Sequence, residues 1–350
     1  MNLSNDSLAT NASGPVPSSA TSPAEPAVII TVAVLSIVGN LLVIVVSTRR
    51  QTFPSASQLF IASMACSDLL VGISVAFFVA PAEAGEWVYS DTTARVCTVI
   101  GASSGGLSYY ALAGLNLDRL SALMNDGVGI SRKKVRIFLI SAWVGIYAWY
   151  IFSVVYGVPV YYDLAMALPT FDMTTHLWFT IVYFFVTCSG LIVAMYCVVR
   201  ILKALCTQHE PPVAAVFHIT VNGPGGVPPQ NANPQPQPAP QNIHTDNSDR
   251  SYAKIVLILT LVQTIMPLPA LCALIASHLG YDLPTFLFWS TWVAFSNFFL
   301  DVVVYSVCQK SFRKAVKEIA TFVASFLYKK CCCQNRVEVT DQQNIQMSSL

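Results

Sequence analysis

Charge is what this chain has least of. Asp, Glu, Lys and Arg make up 11% of its 350 residues, against 54% hydrophobic, whereas a soluble domain carries roughly 25% charged residues. A water-soluble fold of this size would be short of polar surface, so a membrane protein is expected. Framework and metal cysteines are missing too. Most of the 10 cysteines, among them Cys66, Cys188, Cys197 and Cys272, lie inside apolar runs as small hydrophobes, and no CxxC spacing occurs. There is no HExxH, no Gly-rich phosphate loop, and no grouping of nucleophile, base and orienting side chain, so the chain is not expected to be an enzyme. The opening MNLSNDSLATNASG has no basic segment followed by an apolar core, which predicts no cleavable leader. No nucleic-acid partner is expected.

What is present is a series of apolar runs, at about 26–48, 59–81, 96–121, 137–159, 177–205, 255–279 and 284–308. Each reaches the roughly 20 residues that cross a bilayer core as a helix. The fold class expected is an all-α membrane protein, a seven-transmembrane helix bundle with a short amphipathic eighth helix. Of the 19 Lys and Arg residues only Arg95 falls on one side of the seven runs; the rest cluster on the other. By the positive-inside rule the N-terminus is outside and the C-terminus cytoplasmic.

These runs divide the chain into an extracellular glycosylated tail (1–25), helices 1–5 (26–205), a cytoplasmic loop (206–250), helices 6 and 7 (251–308), a membrane-surface helix (309–328) and a cytoplasmic tail (329–350). The outer tail carries three glycosylation triplets, at Asn2, Asn5 and Asn11. The loop is rich in Pro, Gln and Asn and cannot build a core, so disorder is expected there. In 309–328, Phe312, Val316, Ile319 and Phe326 recur at helical spacing opposite Lys310, Arg313, Lys314 and Lys317. That pattern suits an interfacial helix facing anionic headgroups, which makes membrane lipids a partner. Cys331, Cys332 and Cys333 follow directly, placed for S-acylation as a second anchor.

A lone carboxylate in hydrocarbon costs roughly 2.5–3.5 kcal/mol on insertion scales, so Asp68 in the second run calls for company. Asn40 in run 1, Ser108 in run 3, and Asn297 and Asp301 in run 7 lie near its depth. Asn297, Asp301 and Tyr305 are four residues apart on one helix face. Two carboxylates with amide and hydroxyl neighbours make either a small monovalent-cation site or a proton-sharing pair; the plain alternative is a polar network that fixes helix packing. At the inner end of run 3, the Asp118-Arg119 pair is either a snorkelling arginine or a latch whose guanidinium changes partners when helices move.

The combination resembles the rhodopsin-like (class A) G-protein-coupled receptors. The resemblance rests on Gly39-Asn40, on LFIASMACSDLLVG around Asp68, on Trp87, Leu117-Asp118-Arg119, Trp143, Tyr196 and Pro267, and on Asp301 to Tyr305. Its run 2 motif is closest to amine-type receptors. The resemblance implies a plasma-membrane receptor that carries the signal of a small extracellular ligand to heterotrimeric G proteins by helix rearrangement. It implies no cofactor beyond a bound sodium ion, held by Asp68, Ser108, Asn297 and Asp301. Arg119, with Asp118, would close the cytoplasmic end and engage the G protein, Tyr196 and Tyr305 would turn toward it, and Pro267 would kink run 6.

Departures from the family pattern are many. Val302 stands where proline is usual, which removes an expected bend in run 7. Ile265 replaces the toggle tryptophan, Leu120 follows Arg119, and Cys188 takes a frequent proline position. Cys97 has no cysteine between Tyr156 and His176 to pair with, so the outer disulfide is expected to be absent. Gly101 occupies the position of the amine-binding aspartate. The outer pocket would be lined by Gly101, Ile265, Trp289 and Trp292, with Tyr109, Tyr156, Tyr183 and Phe184 as further aromatics. The alternatives are a divergent receptor of the same fold that signals weakly or constitutively, and an ion or proton transporter using Asp68 and Asp301. The odd helix count and the lack of visible repeats weigh against the transporter.

Overall fold

The computed structural model describes residues 23–48, 52–125, 127–207, 243–281 and 283–325. Its elements are α1 Ala24–Ser47, α2 Ser57–Ala76, α3 Val79–Ala84, α4 Asp91–Met124, α5 Arg132–Val155, β1 Val160–Asp163, β2 Leu168–Phe171, α6 Leu177–Thr207, α7 Ile243–Ile265, α8 Leu268–His278, α9 Pro284–Phe295 and α10 Asn297–Cys308. A last helix, α11, covers residues 310–325. The glycosylation triplets at Asn2, Asn5 and Asn11, Cys331 to Cys333, and most of the 206–250 loop lie outside the described residues. The loop's final part is helical, because α7 already begins at Ile243.

Among the described residues, five spans are apolar and long enough to cross a membrane on their own, and α9 with α10 forms a sixth, bent by 44°. The seventh is α4. At 34 residues it is the longest helix, yet it is built from small and polar residues such as Gly105, Gly106, Ser103 and Ser104. That composition suits a helix enclosed by others rather than by lipid. It packs against α2, α5, α6 and α7. Ser90 caps it, its hydroxyl accepting the Thr93 N–H at 3.2 Å with Asp91 in the first turn.

Two features differ from the sequence expectation. Run 7 keeps a bend despite having Val302 in place of proline. The break falls at Ser296, whose hydroxyl donates to the Trp292 carbonyl at 2.9 Å, while its N–H is shared between Trp292 (3.0 Å) and Val293 (3.2 Å). A serine hydroxyl that bonds back to the i−4 carbonyl competes with the helical ladder and bends it, which does the work expected of proline. Run 6, by contrast, breaks where Pro267 predicts a kink: α7 ends at Ile265 and α8 begins at Leu268. The missing ring N–H explains the break.

The second difference is a β-hairpin between α5 and α6, where the sequence offers no strand. β1 and β2 pair antiparallel from Val160↔Phe171 to Asp163↔Leu168. Asp163 Oδ1 accepts the Met166 N–H at 3.0 Å and sets the turn. Ala167 follows at φ 55°, the one non-glycine residue at positive φ among the described residues.

Candidate functional site

The first site is assembled at one end of the bundle, between the start of α2, the last turns of α4 and the facing side of α7. The Asp118 carboxylate is fully buried and has three donors. Ser57 Oγ, from the start of α2, donates to Oδ2 at 2.5 Å, the Ile130 N–H donates to Oδ1 at 2.8 Å, and Arg119 Nη2 meets Oδ2 at 2.8 Å. Arg119, buried as well, lies over the Tyr252 ring of α7, its Cζ 4.9 Å from the ring centroid. Neither Ser57 nor Tyr252 was legible as part of this site. A serine before an apolar run and a tyrosine on a helical core face carry no signal of their own.

Further toward the membrane centre, α7 is tied at two more points. Asn116 Nδ2 donates to Thr260 Oγ1 at 2.8 Å, joining α4 to α7. Gln263 Nε2 donates to Asp301 Oδ2 at 2.8 Å, joining α7 to α10. Tyr252, Val256, Thr260 and Gln263, spaced by four, four and three residues, form one buried face of α7. Gln263 could have been found from sequence: an amide in hydrocarbon needs a partner as Asp68 does.

Asp68 and Asp301 lie close enough to act on each other electrostatically, and Ser108 neighbours Asp68. Ser108 is nevertheless outside hydrogen-bonding geometry. Both Asp68 oxygens, Ser108 Oγ, Asn297 Oδ1 and Asp301 Oδ1 are buried with no hydrogen-bond partner among the described residues. Asn40 has a different task. Its amide donates to the Phe298 carbonyl at 2.7 Å and to that of Ser36 at 2.9 Å, fastening α1 to α10. No group of three or more His, Cys, Asp or Glu side chains that could hold a metal ion is found among the described residues.

The two tyrosines grouped with Arg119 by resemblance sit apart. Tyr305 is buried against Phe53 and Phe312, with ring centroids 5.5 and 5.9 Å away, and its hydroxyl has no partner among the described residues. Tyr196 is exposed on α6, where its hydroxyl accepts from Arg200 Nη1 at 2.9 Å.

Residues 39–335 match the family described as 7 transmembrane receptor (rhodopsin family). The chain belongs to that family. Bovine (Bos taurus) G-protein coupled receptor 52 is 26% identical over 335 residues, 91% of this chain and 85% of that protein. Melanopsin-A of Danio rerio is 26% identical over 200 residues, 53% of this chain. Probable G-protein coupled receptor 19 of Homo sapiens is 30% identical over 111 residues. Those last two matches span only 32% and 27% of the respective proteins. Squid rhodopsin has the same fold, with a TM-score of 0.69 at 17% identity, covering 86% of this chain and 85% of that one.

At the other end of this rhodopsin-family receptor's bundle, the hairpin turn packs between the helices. Ala167 and Leu168 are buried in one apolar cluster with Ile29, Val71, Cys97, Phe288 and Trp292. Trp292 Nε1 donates to the Met166 carbonyl at 3.1 Å, and Thr98 Oγ1 donates to the Pro169 carbonyl at 3.2 Å. Cys97 is a free, buried thiol, so side-chain bonds to backbone carbonyls pin the hairpin. Burial pushes the Asp163 carboxyl up, partly offset by the Met166 and Ala165 N–H groups. Of the residues expected to line a ligand pocket, Gly101 has open space where a side chain would stand. Trp292 is committed to the hairpin, and Ile265 and Trp289 are exposed, at 57% and 43%.

Proposed function

We propose that this receptor sits in the plasma membrane, N-terminus outside, and passes the signal of a small extracellular ligand to heterotrimeric G proteins. The observation that carries the reading is the buried Asp118-Arg119 pair, clamped by Ser57 and Ile130 at the inner end of the enclosed helix. Held this way, the guanidinium is stored beside α7 and becomes available only when α7 moves. Ligand outside and G protein inside would then bias one equilibrium between two helix arrangements. The α11 helix, with Lys310, Arg313, Lys314 and Lys317 exposed beside Phe322, would rest on anionic headgroups of the inner leaflet. A G-protein activation panel tests the reading, run first without ligand and then with small amines, lipids and peptides. Silence toward every G protein by a surface-expressed receptor would remove it.

A second reading has one observation in its favour. Met166, Ala167 and Leu168 fill the outer cluster that an external ligand would enter, which suits a receptor that signals constitutively. Basal activation well above an empty-vector control, unchanged across the ligand panel, would select it.

The buried oxygens of Asp68, Ser108, Asn297 and Asp301 fit a sodium ion. Both Asp68 oxygens, Ser108 Oγ, Asn297 Oδ1 and Asp301 Oδ1 are hard oxygen donors with no partner among the described residues, and the two carboxylates, when ionised, would supply the negative charge a cation needs. Sodium there would neutralise part of the charge and brace α2, α4 and α10 together. The expected result is a melting temperature higher in sodium than in potassium, by the equivalent of about 2 kcal/mol at roughly 30 times the Kd. The difference should vanish in Asp68→Asn. Identical melting in the two salts would leave the shared-proton and packing-network readings of the pair.

A further inference from the structure

We infer that Tyr252 is a positioning residue for the switch: its aromatic face holds the Arg119 guanidinium and keeps the inner end of α7 against α4. The inference rests on the G-protein-coupling reading above, and it concerns how the resting arrangement is maintained.

Three observations support it. The Arg119 Cζ lies 4.9 Å from the Tyr252 ring centroid, within the ~6 Å over which a guanidinium is attracted to an aromatic face. Both partners are buried, at 4% and 6% exposure, so water does not screen the contact. The Tyr252 hydroxyl makes no hydrogen bond among the described residues, and the contact seen between Tyr252 and Arg119 is the one made by the ring.

The geometry also explains why an aromatic residue is useful here. A ring leaves the Arg119-Asp118 pair intact and adds its attraction from a second direction. Tyr252 is the innermost of the four residues along the buried α7 face, where an outward swing of the helix end produces the largest displacement. The Asn116-Thr260 and Gln263-Asp301 bonds lie nearer the pivot, so the ring contact breaks first.

The test compares Tyr252→Phe, which keeps the ring, with Tyr252→Leu, which does not; Tyr252→Met serves if the leucine variant fails to reach the surface. Basal G-protein activation per surface receptor should rise roughly tenfold in the leucine or methionine variant, the shift that loss of a desolvated cation–π contact allows. It should stay within about twofold of wild type in Tyr252→Phe. Spin labels at Asn125 and Lys254, in a background with the other exposed cysteines replaced, report the α4–α7 separation of the purified full-length receptor. That separation should lengthen in the leucine variant and not in the phenylalanine variant. Unchanged separation in both variants, or equal opening in both, overturns the role assigned to the ring. Opening confined to the leucine variant, with no G-protein activation in any receptor, supports the latch and removes the coupling reading instead.

Discussion

Arg119→Ala should reduce G-protein activation to the empty-vector level while leaving surface expression within about twofold of wild type. Removing one partner of a buried ion pair usually costs about 3–5 kcal/mol, because the other charge is stranded. Here Asp118 is not stranded. Ser57 and the Ile130 N–H still donate to its two oxygens, and charge-assisted hydrogen bonds of this kind hold a carboxylate at roughly 1.5–3 kcal/mol each. The fold should survive for that reason. Signalling should not, because the alanine offers no cation to a G protein. The same change also deletes the contact with Tyr252, so the inner end of α7 should open more often than in wild type. Opening without activation separates this variant from one that is merely misfolded. Asp118→Ala should behave differently, since it leaves the Arg119 charge buried without its ion-pair partner; surface expression is expected to fall. Signalling by Arg119→Ala at half the wild-type level or more would remove the mechanism.

How far the sequence could be read follows from what kind of information it holds. Hydropathy and basic-residue asymmetry carry depth, so a bundle of membrane-crossing helices is legible in them, as is the nearness of Asp68 to Ser108 and Asp301. Azimuth is carried only where two polar residues share one helix. Asn40 lies at the right depth, and its amide nitrogen donates to the backbone of α10, a partner that depth alone does not disclose. Gln263 and its partner Asp301 sit on different helices, so their pairing is not encoded in spacing. The hairpin was out of reach for another reason. Its strands are four residues each, too short for alternation to register, and β2 contains Pro169, which cannot donate to a ladder. The run 7 bend is not legible from proline content, because Ser296 makes it through a hydrogen bond to the Trp292 carbonyl.

Gly114 is where helix packing and the switch meet, and Gly114→Ala should destabilise the receptor. In an exposed helix the same change would stabilise by about 0.5–1 kcal/mol, since alanine is the better helix former. Here a Cβ would overlap Phe60 Cε1 and stand 2.6 and 2.7 Å from its Cζ and Cδ1. Phe60 cannot easily yield. It is buried in the largest apolar cluster, with the Phe138 ring edge-on at 6.1 Å. Overpacking of this kind costs about 1–3 kcal/mol, which exceeds the propensity gain, so the net effect is loss. A purified receptor should melt a few degrees lower, and Gly114→Leu should not reach the surface. Small residues at membrane helix contacts let backbones approach closely. That approach is what brings Ser57 at the start of α2 within 2.5 Å of Asp118 on α4. Separating the helices at Gly114 should therefore lengthen this bond and loosen Arg119 as well, raising basal activation per surface receptor in Gly114→Ala. Adding Phe60→Leu, which clears the overlapping ring atoms, should return both melting and basal activity toward wild type. If the double variant is instead as unstable as the two single losses added together, the residues do not interact. Gly114 would then be a passive spacer with no bearing on the switch.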